Sequence, residues 1–499
     1  MQVRITAPIL IAAVGLLGAC GGNKSGLPPS SQYANKCATP RTGIDPATQR
    51  AFRDIQGSVA DEKAWLRSWT DELYLWYSEV PDRNPAEYAT PIDYFNVLKT
   101  PAITASGKAK DQYHFTYSTA EWRALSQSGV RSGYGVQWAV LARSPPRLVV
   151  AAYSEPGSPA ATALIGRGVQ VITVDGEDVV NGADVGKLNA GLFPAVAGES
   201  HTFSVLDRGA TSPRSVTIQS ANVESASVQY VQSFAVPAGR VGYMLFNDHH
   251  ATAEAALISA VRQFQADGIT DLILDIRYNG GGYVDIASEL AYMIAGPTAT
   301  NGKTFEKNRF NDKYPSTNPL TGETLIMPFH NSTVGFSTTP AGQPLPHLDL
   351  ARLFVLTGGQ TCSASESIMN SLRGIDVQVI QIGSTSCGKP YGFYARDNCG
   401  TTYFSIQFQA VNAKGFGDYD DGFVPGGTGP AGLPGCQVAD DYTHDFGDPA
   451  ERRLAAALGY RANGSCPPSS GALEVEPSLS GGEAQMVKSP WDENRIYLP

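Results

Sequence analysis

The apolar positions of this chain follow two different periods, and their alternation predicts its elements. The mainly apolar segments at Val241 to Phe246, Leu353 to Leu356 and Val377 to Ile382 are typical of strands buried on both faces. Between such runs, apolar residues recur at helical spacing from Ala251 to Phe264 and from Glu366 to Leu372. Strands that alternate with helices predict a layered α/β core with parallel strand pairing.

The rest of the chain shows other patterns. Residues 46–125 have apolar positions at helical spacing and predict a small helical domain, whose aromatic face is either its core or a ligand platform. The residues of this face are Trp65, Leu66, Trp69, Leu73, Leu75 and Trp76. Residues 126–223 alternate short β-like runs with turns, which predicts a β-rich domain. Residues 448–460 predict a closing amphipathic helix that begins at Asp448 and Pro449.

The first twenty residues have the pattern of a targeting segment. Arg4 precedes an apolar stretch from Ile5 to Leu17 that is too short to span a bilayer. Leu17-Gly18-Ala19-Cys20 then matches the bacterial lipobox, in which cleavage leaves Cys20 to be lipidated. We therefore expect residues 1–20 to be a lipoprotein signal peptide, and the protein to be anchored by lipid in the cell envelope, facing the periplasm. An ordinary secretion signal with an incidental cysteine is the alternative.

Composition limits the class of protein. A chain of 499 residues with 42% hydrophobic residues is long enough for several packed domains. The net charge of −10 and the lack of a basic run argue against a nucleic-acid partner. Residues 21–45 are rich in Gly, Ser and Pro and predict a flexible linker, while residues 467–499 predict a disordered tail. Oligomeric state is not predicted.

Six cysteines remain after Cys20, and an exported chain of this kind is expected to form up to three disulfides. Fifteen pairings of six cysteines are possible. A bridge between Cys387 and Cys399 is our first prediction, because it would close a local loop beside Lys389. The chain has no CxxC or HxxxH spacing, so we predict no metal site.

The candidate chemistry centres on Ser363 and Lys389. Ser363 lies on a predicted turn from a strand into a helix, where backbone N–H groups and the helix dipole favour a developing negative charge. Lys389 lies on the loop after the next strand, and it could act as the base only if burial lowered its pKa from about 10.4 to roughly 7–8. By itself this pair is a weak signal, because many such serines cap helices and most lysines are solvated.

A second stretch strengthens the interpretation. Asp271 to Gly282 reads DLILDIRYNGGG, a buried strand followed by three glycines whose bare N–H groups suit an oxyanion hole. In order, the segments Asp275–Gly282, Ser363–Glu366 and Thr385–Lys389 resemble the C-terminal processing, or tail-specific, serine proteases, with D-L-R-x-N-x-G-G, S-A-S-E and T-x-S-x-G-K. The resemblance implies a multidomain α/β fold with a crotonase-like (ClpP/crotonase-type) layered core over residues 224–466, and no cofactor.

The resemblance also implies the roles of the dyad residues. Ser363, the first serine of S-A-S-E, would be the nucleophile and Lys389 the general base. Ser365 is the competing nucleophile, because the spacing between the serine and Lys389 does not decide between Ser363 and Ser365. The family usually has a glutamine where this chain has Phe393, and Pro390 replaces a common glycine.

The oxyanion hole would be formed by the N–H groups of Ala364 and of Gly281 or Gly282. Glu366 would either orient the dyad or simply be a carboxylate stabilised in the first turn of the helix, and both roles stay open. Asp275 and Arg277 are expected to form an ion pair that braces the glycine turn.

The two earlier domains fit the same family. ELYLWYSEVPD and DQYHFTYS resemble its helical N-terminal domain, and the β-rich region resembles a PDZ domain. Such a domain adds a peptide C-terminus to a sheet edge, and Tyr134, Gly135 and Val136 would form its peptide-binding loop. Gly168-Val169 stands where Gly-Asp is usual.

These inferences together predict an exported serine endopeptidase that cleaves proteins or peptides with accessible C-termini near those ends, through a Ser–Lys dyad and an acyl-enzyme. One alternative is a catalytically degenerate PDZ lipoprotein that binds protein C-termini. Another mechanism would use Asp248, His249 and His250 in a Ser–His–Asp arrangement, although we expect that loop to be a solvated turn. A carbohydrate- or lipid-binding envelope protein is the third class, supported only by the aromatic N-terminal face.

Overall fold

The computed structural model describes residues 26–104, 106–142, 144–237, 239–336 and 339–467, and the backbone of residues 495 and 496. The predicted signal peptide with Cys20 therefore lies outside the described residues, as does most of the predicted tail.

The α-helices of the described residues are Val59–Leu73, Pro91–Phe95, Thr119–Ser128, Pro159–Thr162, Val185–Leu192, Ala253–Asp267, Val284–Thr300, Ala364–Gly374 and Arg452–Asn463. The helices predicted from Ala251 to Phe264 and from Glu366 to Leu372 are confirmed to within three residues at each end. The prediction that the last helix begins at Asp448 and Pro449 is wrong. Glu451 is its N-cap, because its carboxylate accepts the N–H of Leu454 at 2.9 Å and satisfies a donor of the first turn.

A six-stranded central sheet organises the second half of the chain. Its strands, in spatial order, are Val228–Val236, Gly239–Phe246, Asp271–Asp275, Arg352–Thr357, Gln378–Gly383 and Gly435–Gln437. The first two pair antiparallel and every later pair is parallel. The mixed α/β fold predicted from the alternating periods is confirmed, because each parallel step needs a crossover that a helix can supply.

Helices cover both faces of the central sheet. Along Arg352–Thr357, successive side chains enter two different hydrophobic clusters. Leu353 and Val355 pack with the helices Ala253–Asp267 and Val284–Thr300, whereas Phe354 and Leu356 pack against the last helix. Full burial of such a side chain stabilises the folded state by about 1.5–3 kcal/mol. Because these strands are buried on both faces, most of their residues are apolar.

A separate antiparallel sheet with its own core lies between the N-terminal helices and the central sheet in sequence. In spatial order its strands are Arg214–Gln219, Ser200–Leu206, Gln170–Val174, Leu148–Ser154 and Val136–Ala142, with Glu177–Asp178 paired to the third. Val136–Ala142 is an edge strand, and the helix Val185–Leu192 supplies Leu188 and Leu192 to the core below it.

Smaller sheets complete the fold. An antiparallel sheet joins Ile326–Pro328, Thr304–Phe310, Phe408–Val411 and Tyr391–Gly392, and another joins Arg396–Asn398, Thr401–Phe404 and Phe115–Ser118. Two-stranded pairs are Lys36–Cys37 with Ile55–Gln56, Ile44–Asp45 with Arg50–Ala51, Val130–Gly133 with Ala221–Glu224, Gly282–Tyr283 with Arg495–Ile496, and Val424–Pro425 with Gly432–Leu433. Short elements thus occur inside both the predicted linker and the predicted tail.

The aromatic face of the first helix is part of a core. Trp65 and Trp69 stack at 5.3 Å and pack with Phe95 and Tyr403. Only 2% of Trp65 and 3% of Trp69 is exposed, so neither indole presents a face to a ligand. The interpretation of these residues as core is confirmed.

Three disulfides join Cys37 to Cys399, Cys362 to Cys387 and Cys436 to Cys466. The predicted Cys387–Cys399 bridge is wrong, because Cys387 faces the turn before Ser363 and Cys399 faces the N-terminal strand that carries Cys37. Within the described residues, the helices are all too short or too polar to cross a bilayer.

Candidate active site

The sheet topology brings the three sequence motifs to one edge. The strands Asp271–Asp275, Arg352–Thr357 and Gln378–Gly383 are neighbours and parallel, so their carboxyl ends point the same way. The glycine turn follows the first of them, the turn with Ser363 follows the second, and the loop with Lys389 follows the third. The site therefore lies at the carboxyl ends of parallel strands, where loops from different strands converge.

Ser363 lies at the junction of its turn with the helix Ala364–Gly374. It is fully buried, and its backbone has φ 57° and ψ −116°. A non-glycine residue in such a region costs about 1–3 kcal/mol, so surrounding contacts must hold the turn in place. The Ser363 Oγ donates no hydrogen bond within the described part of the chain, and its position is that of the residue that caps the helix.

Lys389 is also fully buried. Its Nζ lies 4.4 Å from the ring centroid of Tyr113 and 4.6 Å from that of Phe393. The residue that replaces the family's glutamine thus contacts the lysine directly. The amine is therefore enclosed by two aromatic rings and shielded from bulk water.

The Glu366 carboxylate joins the two loops of the candidate dyad. Its Oε2 accepts the N–H of Ser363 at 3.0 Å and the N–H of Lys389 at 2.8 Å. Its Oε1 accepts the N–H of Gly388 at 2.9 Å and the hydroxyl of Ser386 at 2.6 Å. Complete burial raises the pKa of this carboxyl, and these four donors oppose the rise. Of the two roles left open, the contacts support the orientation of the dyad.

Ser365 has a different environment from Ser363. Its hydroxyl donates to the backbone oxygen of Asn279 at 3.0 Å, so it connects the nucleophile helix to the glycine turn. A serine engaged in this way braces two segments, which supports Ser363 as the nucleophile.

The glycine turn distinguishes the two predicted oxyanion donors. The N–H of Gly281 donates to the side-chain oxygen of Asn279 at 2.9 Å, so this amide is already engaged. Gly282 has φ 139°, and a Cβ there would lie 2.7 Å from the backbone oxygen of His249. Glycine is therefore required at this position, which also pairs with Arg495, so the two turn glycines differ in what engages their backbone.

Asn279 is the residue that sequence reasoning missed. Its backbone oxygen accepts the N–H of Cys362 at 3.1 Å, and its side-chain nitrogen donates to the backbone oxygen of Phe246 at 2.9 Å. Its side-chain oxygen lies 3.0 Å from Nδ1 of His249. The available signal was its place directly before the three glycines, where a fully buried amide can hold the turn.

The expectation of a solvated turn at His249 and His250 is wrong, since both histidines are fully buried. Burial lowers the pKa of each to about 3, so both are neutral near pH 7. His250 Nδ1 lies 2.8 Å from the hydroxyl of Thr252. Among the described residues, no hydrogen bond connects either histidine to Ser363.

A buried ionic cluster lies beneath the glycine turn. Arg277 donates to Asp275 at 2.8 Å, as the sequence predicted, and also to Glu451 at 2.8 Å and Asp440 at 2.6 Å. Asp440 also accepts a hydrogen bond at 2.6 Å from Arg167, in the turn before the strand Gln170–Val174 of the antiparallel sheet. Although burial disfavours the charged carboxylate, these arginines hold the pKa of Asp440 well below its usual range. The cluster therefore connects both sheets to the base of the site.

The predicted peptide-binding residues Tyr134, Gly135 and Val136 line a cavity of about 290 Å³, which also touches Leu192 and Tyr278. The Tyr134 hydroxyl donates to the backbone oxygen of Gly191 at 2.8 Å, so its side chain is structural. The cavity lies between the edge strand Val136–Ala142 and the end of the helix Val185–Leu192.

Comparisons with known proteins agree with this geometry. Residues 240–392 match the model of peptidase family S41, and residues 61–117 match that of the peptidase S41 N-terminal domain. A carboxyl-terminal-processing protease from Picosynechococcus sp. is 26% identical over 286 residues, which cover 56% of this chain and 60% of that protein. A crystal structure described as an S41 protease from Bacteroides fragilis aligns with a TM-score of 0.59 at 21% identity, covering 80% of this chain and 97% of that one, and this likeness shows a shared fold.

Proposed function

Because the chain carries matches to the peptidase family S41 domain and to its N-terminal domain, we propose that it is a serine endopeptidase that cleaves proteins near their C-terminus with Ser363 and Lys389. The observation that carries the proposal is the single buried Glu366 carboxylate, which accepts the N–H groups of both residues. Two loops that are far apart in sequence are thereby held against each other at one edge of the sheet.

In the proposed reaction, the Ser363 hydroxyl attacks the scissile carbonyl while Lys389 accepts its proton. Lys389 then returns the proton to the leaving amine, and water hydrolyses the acyl-enzyme by the reverse route. Among the residues that the structure describes, none accepts a hydrogen bond from the Ser363 hydroxyl, and Lys389 is fully buried; both observations support these roles. Tyr113 and Phe393 cover the amine and exclude water from it.

The tetrahedral intermediate needs donors at the position where negative charge develops. The N–H of Ala364, at the start of the nucleophile helix, and the N–H of Gly282 are the proposed pair. Loss of one such donor typically costs about 3–4 kcal/mol in the transition state. Glu366 is a positioning residue in this scheme, since its contacts are to the backbone of the dyad.

Substrate capture is proposed to occur at the antiparallel sheet, acting as a PDZ domain. Its edge strand Val136–Ala142 has an unpaired side along which an extended peptide could add as a further strand. The cavity at Tyr134, Gly135 and Val136 lies at the end of that edge, where a terminal carboxylate would meet backbone N–H groups.

The proposal is tested by cleavage of an unfolded protein with an apolar C-terminus. We expect the mature chain to cut it, and Ser363→Ala and Lys389→Ala to lose the activity while keeping the unfolding midpoint. Lys414→Ala is the matched control, since the Lys414 side chain is 54% exposed and remote from the dyad in sequence. Cleavage by Ser363→Ala would place the nucleophile elsewhere, and an inert wild type that still binds the tail would favour a degenerate binding protein.

Localisation is proposed separately. The lipobox at Leu17 to Cys20 supports a lipid anchor in the cell envelope, with the catalytic domain facing the periplasm. Mass spectrometry of the mature N-terminus should show a diacylglyceryl cysteine, and Cys20→Ala should release the protein from the membrane fraction. A mature chain without acyl groups would overturn this part of the proposal.

A further inference from the structure

One disulfide lies inside the candidate active site. Cys362 immediately precedes Ser363, and Cys387 lies two residues before Lys389. The bond between them joins the turn of the nucleophile to the loop of the base, with 5.2 Å between the two Cα atoms. The other two disulfides are formed by cysteines at least ten residues from Lys389 and further from Ser363.

Backbone hydrogen bonds reinforce the same connection. The N–H of Cys387 donates to the backbone oxygen of Thr361 at 3.0 Å, and the N–H of Cys362 donates to that of Asn279 at 3.1 Å. The disulfide therefore lies at the junction of all three loops that form the site. A covalent link at this position restrains a turn that carries an unfavourable backbone conformation at Ser363.

The sulfur atoms also lie beside the carboxylate that positions the dyad. The Sγ atoms of Cys362 and Cys387 and a carboxylate oxygen of Glu366 lie within 4.8 Å of one another. Cys387 Sγ is 3.6 Å from Glu366 Oε2. That oxygen is the one that accepts the N–H groups of Ser363 and Lys389. A free Cys387 thiol would add an S–H donor at this oxygen and compete with both amides.

We propose that the Cys362–Cys387 disulfide is a positioning element of the Ser363–Lys389 dyad, and that its reduction by a dithiol reversibly switches off the peptidase. This inference rests on the proposed function. Displacement of reacting groups by about 1 Å can cost 10²-fold in rate, so a modest relaxation of the two loops is sufficient.

The chemistry of the switch is thiol–disulfide exchange. A thiolate of the dithiol attacks Cys387 Sγ, the sulfur of the half-buried partner, and Cys362 leaves as a thiolate that takes up a proton. The second thiol of the reagent then displaces Cys387, which also becomes a thiol. Two electrons and two protons pass from the dithiol to the protein, and the reagent ends as a cyclic disulfide.

The test compares wild type with two double variants, each before and after treatment with dithiothreitol in the presence of EDTA. Cys362→Ser/Cys387→Ser removes the proposed element, and Cys37→Ser/Cys399→Ser is the matched control. Alkylation and mass spectrometry report which bonds are open, and kcat/KM is measured as a function of pH. Tm and near-UV circular dichroism report the fold.

We expect opening of this bond to lower kcat/KM of wild type by about 10²-fold, with recovery on reoxidation. The control variant should respond to the dithiol as wild type does, whereas Cys362→Ser/Cys387→Ser should begin with low activity and an altered pH profile that the dithiol does not change. Unchanged activity with Cys362 and Cys387 alkylated would overturn the proposal. So would a dithiol effect that disappears in the control variant.

Two further cases have their own measurement: a variant that does not fold, and a wild type that is inactive. If the Cys362→Ser/Cys387→Ser variant does not fold, reversible reduction of wild type and of the control decides the question. If oxidised wild type cleaves nothing, the proposed function fails, and the titration of the Lys389 Cε signal in ¹³C-lysine-labelled protein decides the positioning role. Opening the bond should move that titration toward the behaviour of a solvated lysine, and an unchanged curve would contradict the proposal.

Discussion

Two buried polar clusters lie within the α/β core, and they shift the pKa of a carboxyl group in opposite directions. Among the described residues, Glu366 accepts hydrogen bonds from backbone N–H groups and a serine hydroxyl, and burial raises the pKa of its carboxyl. Asp440 accepts hydrogen bonds from arginines, which hold its pKa well below the usual range. The donors to Glu366 connect loops, while the donors to Asp440 are cations. The comparison indicates that the first is built for positioning and the second for structural support.

The largest expected effect comes from breaking the ionic cluster. Arg277→Met would leave Asp275 and Glu451 buried without their shared cation, which typically costs about 3–5 kcal/mol. Urea unfolding should show this loss as a lower midpoint. Lys414→Ala removes a pair between two exposed side chains, and it should change stability by no more than about 1 kcal/mol. Equal losses in the two variants would remove the distinction between buried and exposed pairs.

The second effect concerns the cluster of hydrogen bonds around Glu366. Glu366→Gln keeps the size of the side chain but replaces one acceptor oxygen with an NH2 group, which cannot accept the N–H of Gly388 or Lys389. We expect kcat to fall by about 10²-fold with little change in KM, because the hydrogen bonds of Glu366 are to the backbone of the dyad, while the cavity at Tyr134, Gly135 and Val136 is lined by other residues. A variant with unchanged kcat and lower stability would show that Glu366 is structural, like Asp440.

A smaller effect depends on pH. His249 contacts the site through Asn279, and its folded pKa of about 3 lies below the ordinary value of 6.5. The folded state thus binds fewer protons than the unfolded chain, so this contribution to stability is present above pH 6.5 and is lost as pH falls toward 3. At pH 5 the loss is on the order of 2 kcal/mol for this group.

The measurement is the free energy of unfolding from pH 7.5 to 4.5 for wild type and His249→Asn. The variant has a group that does not titrate and should therefore show the shallower decline. His114, whose pKa burial lowers to about 4, and His250 remain in both proteins and supply the common slope. Parallel curves for the two proteins would contradict the assignment.

Much of the fold follows from local sequence. The apolar runs at Leu353 to Leu356 and Val377 to Ile382 became neighbouring parallel strands, and the helical spacing after Ser363 became the helix Ala364–Gly374. These features depend on contacts within a few residues, where periodicity is informative. The boundary of the last helix was missed because a carboxylate at Glu451 caps it in place of the Asp448-Pro449 signal.

The residues of the candidate site were predictable from the sequence, whereas the contacts between them were not. Ser363, Lys389 and the glycine turn were predicted from ordered motifs, and the matches to the two peptidase S41 domain models agree with the resemblance that those motifs carry. The engagement of Gly281 by Asn279, and the contact of Phe393 with Lys389, were not predictable because each depends on the relative placement of loops. The same holds for the pairing of Cys362 with Cys387.

The sequence by itself determined the period of each element, the order of the motifs and therefore the protease family, because these properties reside in short stretches of chain. Only the tertiary structure decided which groups meet: Arg277 bonds to residues 163 and 174 positions away, and Cys37 to one 362 positions away. The physical reason is that burial makes an unpaired polar group costly, and the partner that satisfies it is chosen by sheet order and loop closure. Neither sheet order nor loop closure can be inferred from the residues next to a position in the sequence.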